Sequence, residues 1–332
     1  MDVPIQIAVS GAAGRISYAL LFRIANGGMF GADRPVALSL LEVPAALPML
    51  DVIMMELEDS NFPLLRSVRA SSDPAEAFAG ADWVILTGGA PYRPGMNRAD
   101  ALRANAPIYL AQGRAINEAA KTARVVVVAN PCNTNCLIAA TTCRDVPHDH
   151  WFAMTRLDQN RARAMLAHKA GVNVDQVTRV TAWGDHGPSV FADFHNAWVG
   201  DRPAHEVIHD RDWVRDVFEP GVAGRGQVIH DVRGASPAAS AAQAILGTVR
   251  SLTTPTPYGH WFSAGVVSDG SYGIPHGLVF SVPIRTDDGE TWSVVQTHYL
   301  DGRAQARIAA NAAELEQQAA IVSDFLPSRT MT

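Results

Sequence analysis

Ile5-Gln6-Ile7-Ala8-Val9 is the first compact apolar run of the chain, and its length predicts a short strand. At Ser10-Gly11-Ala12-Ala13-Gly14 it gives way to a segment in which Ile16, Leu20 and Ile24 recur every four residues. That spacing is one face of a helix, and Gly27-Gly28 closes it. Apolar runs return at Val36–Leu41, just before Glu42, more weakly at Val68–Ala70, and again at Trp83–Leu86 and Arg124–Ala129. The last holds four consecutive valines, the unbroken stretch expected of a parallel strand buried on both faces. Asp73-Pro74 offers a capping carboxylate and a first-turn proline to a helix between them. Strand and helix alternating in this way predict an α/β class with a doubly wound parallel sheet.

The pattern changes near Trp151. A helix is expected from Asp158 to Lys169, stopped by Gly171, and Val177–Trp183 and Leu278–Pro283 read as strands. A long Ala- and Gln-rich helix, Arg303–Phe325, follows. A chain of 332 residues suits two domains or one large α/β unit, and the change of pattern divides it into 1–154 and 155–328. At 48% hydrophobic and 18% charged residues, the chain is too apolar for a disordered protein. Its net charge of -6 argues against a nucleic-acid partner, which calls for a basic face. No apolar run approaches the roughly 18 residues of a membrane span, and Met1–Gly14 does not have the pattern of a signal peptide. Three cysteines cannot staple a fold of this size and suit a reducing cytoplasm.

Gly11-Ala12-Ala13-Gly14-Arg15-Ile16-Ser17 lies where the first strand turns into the first helix. Glycines let such a turn tighten against a pyrophosphate, and the helix N-terminus adds N–H donors and positive potential. The pattern is GxxGxxS rather than GxGxxG, and Gly-rich turns of this kind also occur without nucleotides. Glu42 strengthens the nucleotide reading, because an acidic group after the second strand can accept from a ribose diol. The same carboxylate repels a 2′-phosphate, which favours NAD over NADP; Arg15, able to reach a phosphate, works against that preference.

Three polar segments stand out elsewhere. Ala90–Arg98 has the Pro/Gly composition of a mobile loop, Thr155–Arg161 opens the second half, and Trp183-Gly184-Asp185-His186-Gly187 carries a histidine in a glycine-rich turn. Asp158 and Arg161 are three apart and so share a helical face. Taken singly, each has an ordinary alternative: a capping Asp158, a surface Arg161, a loop His186.

Taken in order, these segments resemble the malate dehydrogenases of the lactate/malate dehydrogenase superfamily, and above all the cytosolic and chloroplast branches. Gly11–Gly14, Met55-Glu-Leu-Glu-Asp59, Asn130-Pro-Cys-Asn-Thr-Asn135, Thr155-Arg-Leu-Asp158 and Ser268-Asp-Gly-Ser-Tyr-Gly273 carry the likeness nearly end to end. The resemblance implies a Rossmann domain followed by a mixed α/β substrate domain, assembled as a homodimer, acting on a small 2-oxo or 2-hydroxy acid. It implies that His186 is the acid/base group, that Asp158 orients it, that Arg161 grips the substrate's C1 carboxylate, and that Arg98 polarises the reacting carbonyl. By the same comparison Asn130 touches cofactor and substrate, while Gly88, Asn105, Gln112 and Val128 join Gly11, Gly14, Arg15, Ile16, Ser17 and Glu42 around the dinucleotide.

One departure bears on substrate. The family carries two loop arginines six residues apart, and the earlier one binds the distal carboxylate. Here the later position is Arg98 and the earlier is Tyr92, with Arg93 beside it. A buried carboxylate left without a partner costs roughly 3–5 kcal/mol, so oxaloacetate is expected to lose about a hundredfold or more in kcat/KM unless Arg93 compensates. Gly187-Pro188-Ser189-Val190-Phe191 and Pro237 also depart from the usual pattern. The expectation is therefore an NAD-dependent 2-hydroxy acid dehydrogenase with an altered distal pocket. Its rivals are an ordinary malate dehydrogenase using Arg93 and a catalytically silent NAD-binding protein. No metal site is expected: Cys132 and Cys136 lack accompanying ligands and fall in a strand-to-helix turn. His148, His150, His205 and His209 read as solvated, and Trp151, Trp183, Trp213 and Trp261 as core.

Overall fold

The computed structural model describes residues 3–91 and 95–326, and the chain divides into two compact units. One holds the chain up to Ala153 together with residues from Glu316 on; the other is Met154–Leu315.

In the first unit six strands, β1 (Ile5–Ser10), β2 (Val36–Leu41), β3 (Leu65–Ser71), β4 (Trp83–Leu86), β5 (Arg124–Val127) and β6 (Trp151–Ala153), lie in the order β3-β2-β1-β4-β5-β6, every neighbouring pair parallel. Helices α1 (Arg15–Ala25), α2 (Leu47–Asp59), α3 (Pro74–Phe78), α4 (Arg98–Ala119) and α5 (Cys132–Thr142) connect them. This is the doubly wound Rossmann order, with the chain reversing its direction of travel across the sheet between β1 and β4. Central strands β2 and β4 are buried at every position. β3 runs further than the short apolar triplet Val68–Ala70 predicts, because it has one strand neighbour and exposes Arg66, Ser67 and Arg69. The valine run leaves the ladder after Val127. Asp73 caps α3 as expected, accepting from the Ala75 N–H at 2.9 Å.

Three readings of the first unit need correction. Arg98 is not a loop residue: Asn97 and Asp100 form a capping box, and Arg98 is the first residue of the 22-residue α4. Cys132 and Cys136 lie one turn apart within α5 rather than in a turn, both fully buried, and burial pushes the Cys136 thiol far up. His150 is half-buried, with its Nδ1 3.2 Å from the Ala123 carbonyl, whereas His148 is exposed.

The second unit contains α6 (Arg156–Ala170), β7 (Val177–Thr178), β8 (Thr181–Trp183), β9 (Phe191–Asp193), β10 (Trp198–Val199), β11 (Arg202–Pro203), α7 (Glu219–Arg233), α8 (Ala239–Leu252), β12 (Phe262–Val267), β13 (Val279–Arg285) and β14 (Ser293–Val294). The last long helix, α9 (Gly302–Ile321), begins here, and its residues from Glu316 belong to the first unit, where Thr134 Oγ1 meets Gln318 Oε1 at 2.7 Å. Gly171 ends α6 in the left-handed conformation. The run Val177–Trp183 is not one strand. Arg179 at φ 56° breaks it, sending β7 to β10 and β8 to β9, both pairings antiparallel. β12, β13 and β14 form an antiparallel ladder. The core gathers Ala162 and Leu166 of α6 with Val177, Ala182, Ala192, Phe218 and Val222.

Trp151 and Trp183 are fully buried, but Trp213 and Trp261 are only half-buried. Each keeps a polar engagement: the Lys169 ammonium stands 5.1 Å over the Trp213 ring, and the Trp261 indole N–H donates to Thr181. Among the described residues no helix is long and apolar enough to cross a membrane.

Candidate active site

In the first unit the glycines act by bringing backbones together. Gly11 leaves β1 at φ +65°, and a Cβ there would stand 2.4 Å from the Gly88 Cα, so the ends of β1 and β4 touch main chain to main chain. Gly14 then opens α1 with extended backbone, no capping side chain and no acidic residue in the first turn. The Tyr18 N–H is the first to reach back along the helix, to the Gly14 carbonyl. The N–H groups of Arg15, Ile16 and Ser17 precede it and have no acceptor four residues back within the helix, the arrangement that attracts anions. Arg15 is exposed; Ser17 is buried with its hydroxyl 2.7 Å from that of Thr87, so it offers a cradle only its N–H.

Glu42 follows β2 and is held in place by two backbone donors, the Ala13 N–H at 3.1 Å on one oxygen and the Val43 N–H at 3.0 Å on the other. Each oxygen keeps a lone pair able to accept from a hydroxyl. Val128 is buried just past β5, and Asn130, two residues further, is exposed. Asn105 and Gln112 are buried in α4. Asn105 accepts from the Ala90 N–H at 3.0 Å and donates to the Ala101 carbonyl at 2.8 Å, and Gln112 accepts weakly from Ser10 at 3.4 Å. Their amides brace the segments after β4 and β1. Arg98 is half-buried at the start of α4. Tyr92 and Arg93 lie outside the described residues.

In the second unit Asp158, Arg161 and His186 come together around one carboxylate. Asp158, 1% exposed, accepts from Arg161 Nη1 at 3.0 Å on Oδ1 and from His186 Nδ1 at 2.5 Å on Oδ2. The first contact follows from the three-residue spacing on α6; the second joins residues 28 apart. With Nδ1–H donating to Asp158, the Nε2 of His186 is left to exchange a proton. Burial pulls the His186 pKa down, but the Asp158 charge and hydrogen bond outweigh it, so the ring titrates above its ordinary value. Arg161 is held below its usual value by burial, against the support of Asp158.

The turn that carries His186 depends on a residue for which the sequence offers only a faint sign. Gly184 sits at φ +95°, where a Cβ would stand 2.4 Å from Asn311. Asn311 accepts from the Asp185 N–H at 3.0 Å and from the Ser189 hydroxyl at 3.2 Å, while its amide donates to the Ser189 carbonyl at 2.5 Å. It is 2% exposed, one of two buried amides in an Ala-rich helix, the other being Gln318, and a polar residue among alanines is the only sign the sequence gives of it.

Comparison with known proteins places this geometry among relatives. The lactate/malate dehydrogenase NAD binding domain family matches residues 5–149, and the lactate/malate dehydrogenase alpha/beta C-terminal domain family matches 155–326. The chain is 47% identical over 327 residues to a malate dehydrogenase of Magnetococcus marinus, covering 98% of this chain and all of that one. Among solved structures it is similar to malate dehydrogenase from Naegleria fowleri, with a TM-score of 0.94, 39% identity, and 98% and 100% of the two chains covered. It is also similar to a Trichomonas vaginalis lactate dehydrogenase in complex with NADH and oxamate, with a TM-score of 0.92, 32% identity, and 97% and 99% covered.

Proposed function

Because this chain belongs to the lactate/malate dehydrogenase family, and is therefore an NAD-dependent 2-hydroxy acid dehydrogenase, we propose that His186 is its acid/base group, Asp158 the residue that orients it, Arg161 the grip on the substrate's C1 carboxylate and Arg98 the group that polarises the reacting carbonyl. The observation that carries this reading is the shared carboxylate: Asp158 fixes His186 and Arg161 at once, so the proton donor and the carboxylate fork keep a constant spacing. In reduction, His186 gives its Nε2 proton to the substrate oxygen as that oxygen becomes a hydroxyl. In oxidation the neutral ring takes the proton back. The bound dinucleotide supplies the hydride donor or acceptor.

The cradle fits such a dinucleotide. Gly11 and Gly88 leave no room for a side chain where backbone approaches backbone, and the uncapped start of α1 offers the Arg15, Ile16 and Ser17 N–H groups to phosphate. Glu42, anchored by Ala13 and Val43, suits a ribose diol and opposes a 2′-phosphate, which supports NAD over NADP. Gly14, Val128 and Asn130 complete the cofactor's surroundings, with Asn105 and Gln112 bracing them. On this reading residues 1–154 hold the dinucleotide and 155–328 the substrate.

The likeness extends to proteins named for malate and for lactate, so similarity alone does not name the substrate. The sequence has Tyr92 at the position where the family's earlier loop arginine is expected, which favours an altered distal specificity, with Arg93 the alternative source of charge. A homodimer accords with α2, where Met49, Val52 and Met55, three apart, are 52%, 48% and 61% exposed. Buried cysteines that form no disulfide suit a reducing cytoplasm. The experiment is a screen of 2-oxo acids differing beyond C3, each with NADH and NADPH. One acid is expected to dominate, with NADH preferred by roughly tenfold or more. Equal rates with NADPH would remove the role given to Glu42, and no turnover of any 2-oxo acid would remove the whole assignment.

A further inference from the structure

Helix α7, which packs against Arg161, carries a second arginine, Arg225. Val222 and Gly226, four apart, face α6: Arg161 Nη1 reaches the Val222 carbonyl at 3.5 Å, and a Cβ at Gly226 would stand 3.3 Å from Arg161 Nη2. Gly226 therefore leaves the gap beside the outer nitrogen of Arg161. Arg225, three residues beyond Val222, is its neighbour along the flank of that face and is half-buried. Among the described residues no hydrogen bond or ion pair holds it. Its charge is felt by Arg161, whose guanidinium is destabilised by burial and by Arg225, against the pull of Asp158.

The charges in this corner are unevenly matched. Asp158 is already shared between Arg161 Nη1 and His186, and among the described residues Arg161 donates to the protein through Nη1 alone. Two cations held close together away from bulk water are stabilised by anions placed between or beside them. A monocarboxylate 2-oxo acid supplies one such anion. A short 2-oxo dicarboxylate supplies two.

We propose that Arg225 is a specificity-determining residue, contributing the positive charge that holds the substrate's second carboxylate while Arg161 holds the first. This rests on the assignment of Arg161 to the C1 carboxylate made above. It makes the substrate a four-carbon-class 2-oxo dicarboxylate, and it removes the need for a charge at position 92.

The test uses the full-length protein with NADH, oxaloacetate as the dicarboxylate and 2-oxobutanoate as a monocarboxylate of equal carbon number. Arg225→Gln removes the charge; Arg225→Lys keeps it on a shorter, unforked arm. The quantity read is the ratio of kcat/KM for the two acids, which is internal to one preparation and does not depend on its folded fraction. The parent is expected to favour oxaloacetate. Arg225→Gln is expected to lower the ratio by roughly thirtyfold or more, mainly through the KM of oxaloacetate, and Arg225→Lys to restore part of it. A parent that prefers 2-oxobutanoate overturns the proposal, since no second carboxylate is then recognised. So does Arg225→Gln lowering both acids by one factor, or leaving the ratio untouched. A parent that reduces neither these nor any other 2-oxo acid defeats instead the assignment of Arg161.

Discussion

On the proposed reading, the groups offered to a ligand at the end of β1 are the main-chain N–H donors of Arg15, Ile16 and Ser17, next to glycines; around Asp158 they are side-chain nitrogens of Arg161 and His186, fixed by a buried carboxylate. The two regions solve recognition with different materials. Backbone donors carry no net charge and need no partner to hold them, so that cradle is sensitive chiefly to added atoms. Buried charges are costly to desolvate and must be matched, so that cluster is sensitive chiefly to removed ones. Substitutions should therefore fail in opposite directions in the two places.

The largest effect is expected at His186. His186→Asn should lower kcat on the order of 10³–10⁴-fold, because the amide cannot supply the proton, while the NADH dissociation constant measured by fluorescence titration stays close to the parent's. A loss of NADH affinity matching the loss of turnover would erase the contrast between the regions.

Asp158→Asn should come next, with kcat/KM falling roughly 10²–10³-fold and the pH profile moving in a set direction. In the parent, His186 titrates above its ordinary value because Asp158 outweighs burial. Reduction, which needs the protonated ring, holds at low pH and declines as pH rises through that raised value; oxidation does the reverse. Without the carboxylate charge, burial and Arg161 remain to depress the ring, so both midpoints should move to lower pH. The pair's contribution to stability follows the same sign: it is complete below the unfolded histidine pKa and is lost as pH rises through the folded one. An unmoved midpoint in Asp158→Asn would mean that some other group sets the titration.

The smallest of the three is an added methyl. Gly11→Ala places a Cβ 2.4 Å from the Gly88 Cα at a φ of +65°, so the β1 and β4 ends must separate. NADH affinity should weaken by roughly tenfold and the thermal midpoint should drop, with a cost of about 1–3 kcal/mol, while the pH midpoint of the residual activity stays where it was. Calorimetry and titration of the same sample separate the two. Full NADH affinity in this variant would show that the cradle tolerates added bulk after all.

Legibility in the sequence differed along similar lines. β1, β2 and β4 were visible because buried parallel strands are unbroken apolar runs, and α1 because its face repeats every four residues. α5 shows no such face: Cys132 through Ala140 are all buried, so periodicity has nothing to mark. α7 is obscured by Gly221, Gly224 and Gly226, of which Gly221 and Gly226 are there because Met165 and Arg161 lie against them. Val177–Trp183 looked continuous since side-chain hydrophobicity does not report the φ of Arg179. For the site, Asp158 and Arg161 follow from helical spacing. Their meeting with His186 depends on a tertiary turn, which resemblance supplied and local chemistry did not. Arg225 and Asn311 were missed because each is defined by what it faces.

Asn311 carries a consequence for synthesis. It clasps Asp185 and Ser189 across 126 and 122 residues, so the bend that carries His186 is not held by this clasp until α9 has left the ribosome. At about 5–20 residues per second, the first unit's sheet is fully translated well before that moment. The strands that lead to Gly11 and Gly88 are thus made long before the clasp that fixes the His186 turn, so that turn is shaped by one of the later segments to emerge.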